Sequence, residues 1–353
     1  MTPHINAIGT AVPTHDIHDA FIAWARARVP THEGKLFDRM ATRAGIRHRW
    51  SVLPVTPGGG SPVESEGFYD GERPGTARRM AIYAEAAPDL ALRAVAALSE
   101  RASLDGITHL VVASCTGFVA PGIDQIVARR LALSPSVERL LVGFMGCYAA
   151  VAALRTARHI VRSDEAARVL VVTVELSTLH LQEARELEPL LAMLQFGDGA
   201  AAALVTAEPL GFAIDRPFAT TLPDSEALIR WNITDHGFAM HLSGEVPGRI
   251  AHALAHTDFA RDATGGRAAD AIDGWAVHAG GRSILDAVQT ALRLPAHALE
   301  ASRAVLAEHG NMSSATLMFV LARLLEAPAI REGLALAFGP GLAAEGFGFR
   351  SAA

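Results

Sequence analysis

Three residues of this chain have types that can support nucleophilic chemistry and stand where such chemistry is done: Cys147, His278 and Asn311. Cys147 lies in Gly143-Phe144-Met145-Gly146-Cys147-Tyr148-Ala149-Ala150, where an apolar run passes into an Ala-rich stretch. A helix beginning there offers unpaired amides and its macrodipole to an anion, which lowers a thiol pKa. Gly146 allows close backbone approach at such a turn. The same cysteine also reads as a small buried hydrophobe, since free cysteine is often fully buried. His278, in Trp275-Ala276-Val277-His278-Ala279-Gly280-Gly281, ends an apolar run, and ligands gather beyond strand C-termini in α/β proteins. Its plain alternative is a satisfied core histidine. Asn311, in His309-Gly310-Asn311-Met312-Ser313-Ser314, opens another helix, either as a donor or simply as an N-cap. Cys115 also follows an apolar run, without an Ala-rich helix of its own, and reads as a wall residue. His180, His236, His241 and His309 show no metal-ligand spacing such as HExxH, so no metal site is expected.

Short apolar runs alternating with helical patterns must position these residues, which points to an α/β fold. Strands are expected over 108–114, 169–175, 200–206, 274–278 and 333–338, several apolar enough to be buried on both faces. Helices are expected over 80–99, 147–161, 281–292 and 313–325, with another after Ile123. The stretch 54–75, rich in Gly, Pro, Ser and charge, reads as a long surface excursion. A break around 208–223 suggests two halves, 1–212 carrying the cysteine and 213–353 carrying the histidine and asparagine. Each half then places a strand–turn–helix unit at the proposed site.

A chain of 353 residues with 50% hydrophobic residues and mean hydropathy +0.24 can bury a large core without a metal or disulfide staple. A net charge of −6 and pI near 6.2 argue against a nucleic-acid partner, so an anionic ligand needs a local basic cluster. Two cysteines are too few for a disulfide framework. The N-terminus has no signal-peptide pattern, and no uninterrupted apolar run reaches the roughly 20 residues of a membrane span. A cytoplasmic protein is expected.

The segments MGCYAA around Cys147, LQFGDGAAAALV around Phe196, VHAGGRSILDAV around His278, HGNMSSATLMF around Asn311 and AFGPGLAAEGFGF near the C-terminus together resemble the type III polyketide synthases. That family includes the chalcone, alkylpyrone and alkylresorcinol synthases. The segments come in the family's order and cover the chain from about Lys35 onward. The resemblance implies a thiolase-like, five-layered αβαβα fold of two pseudo-duplicated halves, usually a homodimer. It implies that Cys147 carries the acyl chain as a thioester and that His278 keeps it as thiolate. His278 and Asn311 would donate hydrogen bonds to the thioester carbonyl and to the enolate formed when malonyl-CoA loses CO₂. CoA thioesters are then substrates, and no cofactor is implied.

The match further assigns Phe196 as gatekeeper, and places Met240 where plant members carry a second aromatic. Arg39 and Arg43, four apart on one helix face, match the CoA-phosphate helix. A family lysine is replaced there by Leu36, next to Lys35. Gly280, Gly281 and Ser283 match the pantetheine tunnel, and Cys115, Glu175, Ser177, His180, Trp231, Leu242 and Ser313 the pocket wall. The resemblance is greatest to bacterial members using fatty acyl starters, which implies an alkylpyrone or resorcinol product. An initiating β-ketoacyl-acyl-carrier-protein synthase shares the Cys–His–Asn logic, but usually continues its histidine segment to Gln-Ala-Asn rather than Ala279-Gly280-Gly281. A non-catalytic acyl-CoA-binding scaffold would be expected to have lost one of the three residues.

Overall fold

The computed structural model describes residues 2–256 and 258–352. The first half runs β1 (His4–Ala11), β2 (His15–Asp16), α1 (His18–Arg26), α2 (Gly34–Ala44), β3 (Trp50–Ser51) and α3 (Thr76–Ser99). It continues through β4 (His109–Ser114), α4 (Ile123–Arg130), β5 (Glu138–Gly143), α5 (Ala149–Ser163), β6 (Val169–Leu176), α6 (Leu187–Met193) and β7 (Asp198–Thr206). The second half holds β8 (Phe212–Thr221), β9 (Ile229–Thr234), β10 (Gly237–Leu242), α7 (Val246–His256), α8 (Phe259–Thr264) and β11 (Gly274–Val277). It ends with α9 (Arg282–Ala291), α10 (Glu300–His309), α11 (Ser314–Leu325), β12 (Gly333–Gly339) and β13 (Ala343–Ser351).

Nine strands form one mixed sheet in the order β11-β12-β13-β8-β1-β7-β6-β4-β5. Its centre is narrow: β1 meets β8 only through His4 with Ala213 and Ile5 with Phe212. The sheet therefore divides into two leaves, one per half. Period-2 alternation along the strands sets the layers. In β4, Val111 and Ala113 face one core while Leu110 and Val112 face another. In β12, Ala335 and Ala337 face that same first core while Leu334 and Leu336 face a third. The shared core holds α5 and α11. The outer cores lie under α3 in the first half and under α7 and α9 in the second. The result is the five-layered αβαβα stack of a thiolase-like fold. A helix enclosed on all sides must be small or apolar all round. Accordingly, every residue of α11 from Ser314 to Leu321 is buried, and α5 is rich in alanine, which also favours helix.

The structure departs from the sequence expectations at two places that matter. The supposed break contains β8, which pairs with β13 and extends the second leaf. Asp215-Arg216-Pro217 disguises that strand, and the β13–β8 ladder tolerates the proline through an irregularity between Gly346 and Gly348. The helix expected from Cys147 begins two residues later, at Ala149. No helix among the described residues is long and apolar enough to cross a membrane.

Candidate active site

Cys147 occupies the turn between β5 and α5. The turn is tight, with φ of +56° at Phe144 and +79° at Gly146. A Cβ on Gly146 would lie 2.4 Å from Cδ of Pro340, so only glycine lets the AFGPG loop seat on the nucleophile turn. At the equivalent place in the second half, Asn311 precedes α11. It is not the cap; Ser313 is. The Asn311 Oδ1 accepts a hydrogen bond from the Ser313 amide at 2.8 Å, which orients the carboxamide and leaves Nδ2 as the donor. That Nδ2 donates to the Gly280 carbonyl at 3.2 Å, tying Asn311 to the loop that follows His278.

His278 leaves the end of β11 with its amide bonded to Leu336 O at 2.8 Å. Its side chain is 1% exposed, and neither ring nitrogen has a protein partner. Phe196 is held against the same site through its backbone. Asn311 N donates to Gln195 O at 2.7 Å and Gly197 N donates to Asn311 O at 3.0 Å, which sets Phe196 in register with Asn311.

Cys147, His278, Asn311, Phe196 and Met240 line one cavity of about 500 Å³. The β9–β10 hairpin supplies a wall, because Trp231 stands opposite Met240 and Ile229 opposite Leu242, and directly opposed residues share a face. All four line the cavity, and Trp231 Nε1 donates to Cys115 O at 2.9 Å. Cys115, Ser177, Ser313, Gly280 and Ser283 also line it. Other expected residues fall elsewhere. Glu175 is buried behind Cys115, His180 lines a smaller adjoining cavity, and Gly281 is not in the wall. Arg39 and Arg43 are exposed on α2, while Met40 between them lines the cavity at its opening. Sequence reasoning missed Met40 and Gln195, although each is a direct neighbour of a residue it named. It also missed Arg282, whose Nη1 reaches Arg43 O at 3.2 Å and adds a cation beside the arginine helix.

Desolvation works against the expected thiolate. Burial pushes the Cys147 thiol up to about 11, helped by nearby Glu175 and opposed by the Ser313 hydroxyl and Asn311 carboxamide. Burial also lowers His278 to about 3. In this geometry both groups are neutral, and the helix N-terminus does not outweigh desolvation. The Ser313 hydroxyl stands 3.7 Å from Cys147 Sγ and 3.1 Å from Cys115 Sγ. Behind it, Glu175 accepts from Cys115 N at 3.0 Å, Thr116 Oγ1 at 2.9 Å, Cys115 Sγ at 3.4 Å and the Ser314 hydroxyl. Burial still lifts this carboxyl to about 7 against those donors. His180 is neutral: the Phe238 amide donates to Nδ1, so Nε2 carries the proton and donates to Thr116 O at 2.7 Å.

A half-buried thiol, an imidazole with both nitrogens free and an oriented carboxamide, gathered in one apolar chamber of this fold, define a condensing acyltransferase of the thiolase-like class. Residues 2–209 match the family model for the N-terminal domain of chalcone and stilbene synthases, and residues 214–353 match that for the C-terminal domain. The chain thus belongs to the chalcone and stilbene synthase family and is a type III polyketide synthase.

Among curated relatives, it is 37% identical over 304 residues to the "Alpha-pyrone synthesis polyketide synthase-like Pks18" of Mycobacterium tuberculosis, covering 82% of this chain and 77% of that protein. The Mycobacterium bovis protein of the same name matches equally. Among solved structures, PKS-I from the brown alga Ectocarpus siliculosus superposes with a TM-score of 0.88 at 28% identity, covering 99% of this chain and 98% of that one. The C-terminal type III domain of Dictyostelium Steely1 shares the fold, with a TM-score of 0.88 at 23% identity and full coverage of both chains.

Proposed function

We propose that the enzyme extends an acyl-CoA starter, a fatty acyl group, with malonyl-CoA and closes the product to an alkylpyrone. The carrying observation is the convergence of Cys147, His278 and Asn311 on one apolar chamber. As the substrate enters, the side chains of Cys147 and His278 close to hydrogen-bond reach and the thiol passes its proton to the imidazole, because an ion pair in contact is far less penalised by burial than either charge alone. The thiolate attacks the starter thioester, the C–S bond to CoA breaks, and CoA leaves as the thiol. Malonyl-CoA then loses CO₂, and the enolate oxygen takes hydrogen bonds from an N–H of His278 and from Asn311 Nδ2. Apolar walls including Phe196 favour release of a neutral molecule from a carboxylate. The carbanion attacks the Cys147 thioester, forming a carbon–carbon bond and freeing the thiolate. After repetition, attack of an enol oxygen on the thioester carbonyl gives the pyrone. The name of the mycobacterial relative supports this ring over a resorcinol.

Arg39 and Arg43 hold CoA phosphates beside Met40, and Gly280 and Ser283 line the pantetheine path. CoA thioesters are substrates here, with no separate cofactor, and the enzyme works in the cytoplasm where they are made. The halves 1–212 and 213–353 are the duplicated units, with α5 and α11 as counterparts. Two copies associate through the first half: among the described residues β5 pairs with β4 alone, and its open edge exposes Leu140 and Leu141. Such an edge invites pairing with another chain.

Incubating the purified protein with malonyl-CoA and acyl-CoAs from acetyl to palmitoyl, with products identified by mass, tests the function. Pyrones from fatty acyl starters are expected. A folded protein that extends no starter would refute it.

A further inference from the structure

Beside the reaction chamber lies a second cavity of about 70 Å³, room for a carboxylate-sized group. Ser177, Phe196, Trp231 and Met240 line both cavities and so form the partition. Most of the remaining wall is apolar, including Ile17, Phe21, Leu53 and Leu181. The irregular segment 54–75, expected as a surface excursion, covers this cavity with Ser61, Pro62, Val63 and Tyr69.

Two polar groups in this lining have no partner. Arg49 is 1% exposed; its Nε donates to His18 Nδ1 at 3.0 Å, and its Nη1 donates to Met193 O and Phe196 O at 3.1 and 2.9 Å. Its Nη2 bonds nothing. Ser61 is 4% exposed, and its hydroxyl is likewise unpartnered. Buried donors are nearly always satisfied, so an acceptor belongs here.

The surrounding charge selects an anion. Behind the lining, Arg73 donates to Gln182 Oε1, and Arg79 donates to the carbonyls of Leu179 and Leu181 with its guanidinium 5.3 Å from the Tyr69 ring centre. Arg49, Arg73 and Arg79 thus bond to carbonyls, an amide oxygen and an imidazole rather than to carboxylates. Two carboxylates act on Arg49, and both are engaged elsewhere: Asp16 accepts from the Arg49 and His18 amides and pairs with His48, and the buried Asp198 accepts from Val52 N, Thr178 N and Thr178 Oγ1.

We propose that this second cavity is a subsite for a carboxylate at the far end of the starter chain. The preferred starter is then a fatty acyl-CoA that carries a second carboxylate at its far end, the CoA monothioester of a dicarboxylic acid, taken ahead of the plain fatty acyl groups. The inference rests on the condensing function proposed above and specifies its substrate. With the acyl carbon at Cys147, the chain runs along the Trp231–Met240 wall. The flexible Met240 side chain yields at the partition, and the terminal carboxylate accepts from Arg49 Nη2 and the Ser61 hydroxyl.

The test measures binding, not turnover. Calorimetry on the Cys147→Ala variant compares adipyl-CoA with hexanoyl-CoA, suberyl-CoA with octanoyl-CoA, and sebacyl-CoA with decanoyl-CoA. At one chain length the carboxylated ligand should bind about tenfold tighter or more, as a charge-assisted hydrogen bond to a buried guanidinium allows. Adding Ser61→Ala should shrink that preference several-fold without changing the affinity for the plain acyl partner. Arg49→Gln should abolish it. Because Arg49 also braces Phe196, Ser61→Val provides the second variant, blocking the cavity without touching the guanidinium. Equal affinities within every pair, or a preference indifferent to both Ser61 substitutions, would overturn the subsite and leave the condensing function standing. A selective protein that extends no starter would instead strike the condensing function alone.

Discussion

Phe196 and Asn311 are joined through their backbones: the Asn311 amide and carbonyl bond to the residues on either side of Phe196. The proposed gate of the chamber and the proposed donor to the reacting oxygen are therefore held in one register, although 115 positions separate them (311 − 196). The register depends on Gly310, whose φ is +68° and whose added Cβ would lie 2.7 Å from Gln195 O.

Gly310→Ala is expected to cost about 1–3 kcal/mol of stability, the usual range for a side chain forced into a glycine-only conformation. It should also lower condensation more than thioester binding, because Asn311 and Phe196 lose their common register. Urea unfolding together with separate kcat and KM values checks both. Unchanged stability would show that the bridge carries no strain-sensitive contact.

Removing the carboxamide donor isolates decarboxylation. Asn311→Leu is expected to slow CO₂ release from malonyl-CoA by roughly 10²–10³-fold, as loss of one oxyanion donor does. Cys147→Ala should keep that release while losing all extended product. Labelled CO₂ capture measures the two variants side by side; equal decarboxylation by both would remove Asn311 from the mechanism.

The thiol of the free enzyme should react as a neutral, half-buried group. With Cys147 pushed up to about 11, its thiolate fraction grows as pH rises. Iodoacetamide labelling of Cys147 should then accelerate about tenfold per unit between pH 7 and 9, because each unit below a pKa lowers the thiolate tenfold. A rate that is flat above pH 6 would mean that the Cys147–His278 ion pair forms before substrate arrives.

Glu175 makes stability depend on pH. Its folded value of about 7 lies above the ordinary 4.5, so its protonated form favours the fold. That contribution is complete below about pH 4 and is lost as pH rises through about 7. Glu175→Gln should keep acceptors for Cys115 and Thr116 and flatten the decline, by an amount on the order of 3 kcal/mol. Thermal melts of both proteins from pH 4.5 to 8 measure it. Parallel curves would show that Glu175 is ionised in the fold throughout.

Local patterns in the chain determined which elements form, and the motif resemblance pointed to the residues proposed to carry chemistry. Continuous apolar runs such as Val169–Leu176 make buried strands, and the Ala-rich stretch after Tyr148 makes a buried helix, because these depend on near neighbours. The motif resemblance located Cys147, His278, Asn311 and Phe196, since each sits in a short segment with its own turn glycines. Strand β8 stayed hidden because Asp215-Arg216-Pro217 is polar locally and becomes a strand only through β13 and β1. The desolvation that opposes charge on the thiol and imidazole was hidden for a similar reason: it is set by surrounding mass, which no spacing reveals. Arg49 is a buried brace on Phe196, a role that nothing in its sequence neighbours signals. Only the tertiary structure could set Trp231 beside Met240, split the cavity in two and bring the unpartnered Nη2 of Arg49 into the smaller part. Those relations arise where elements distant in sequence close on one another, and packing there depends on every side chain at once.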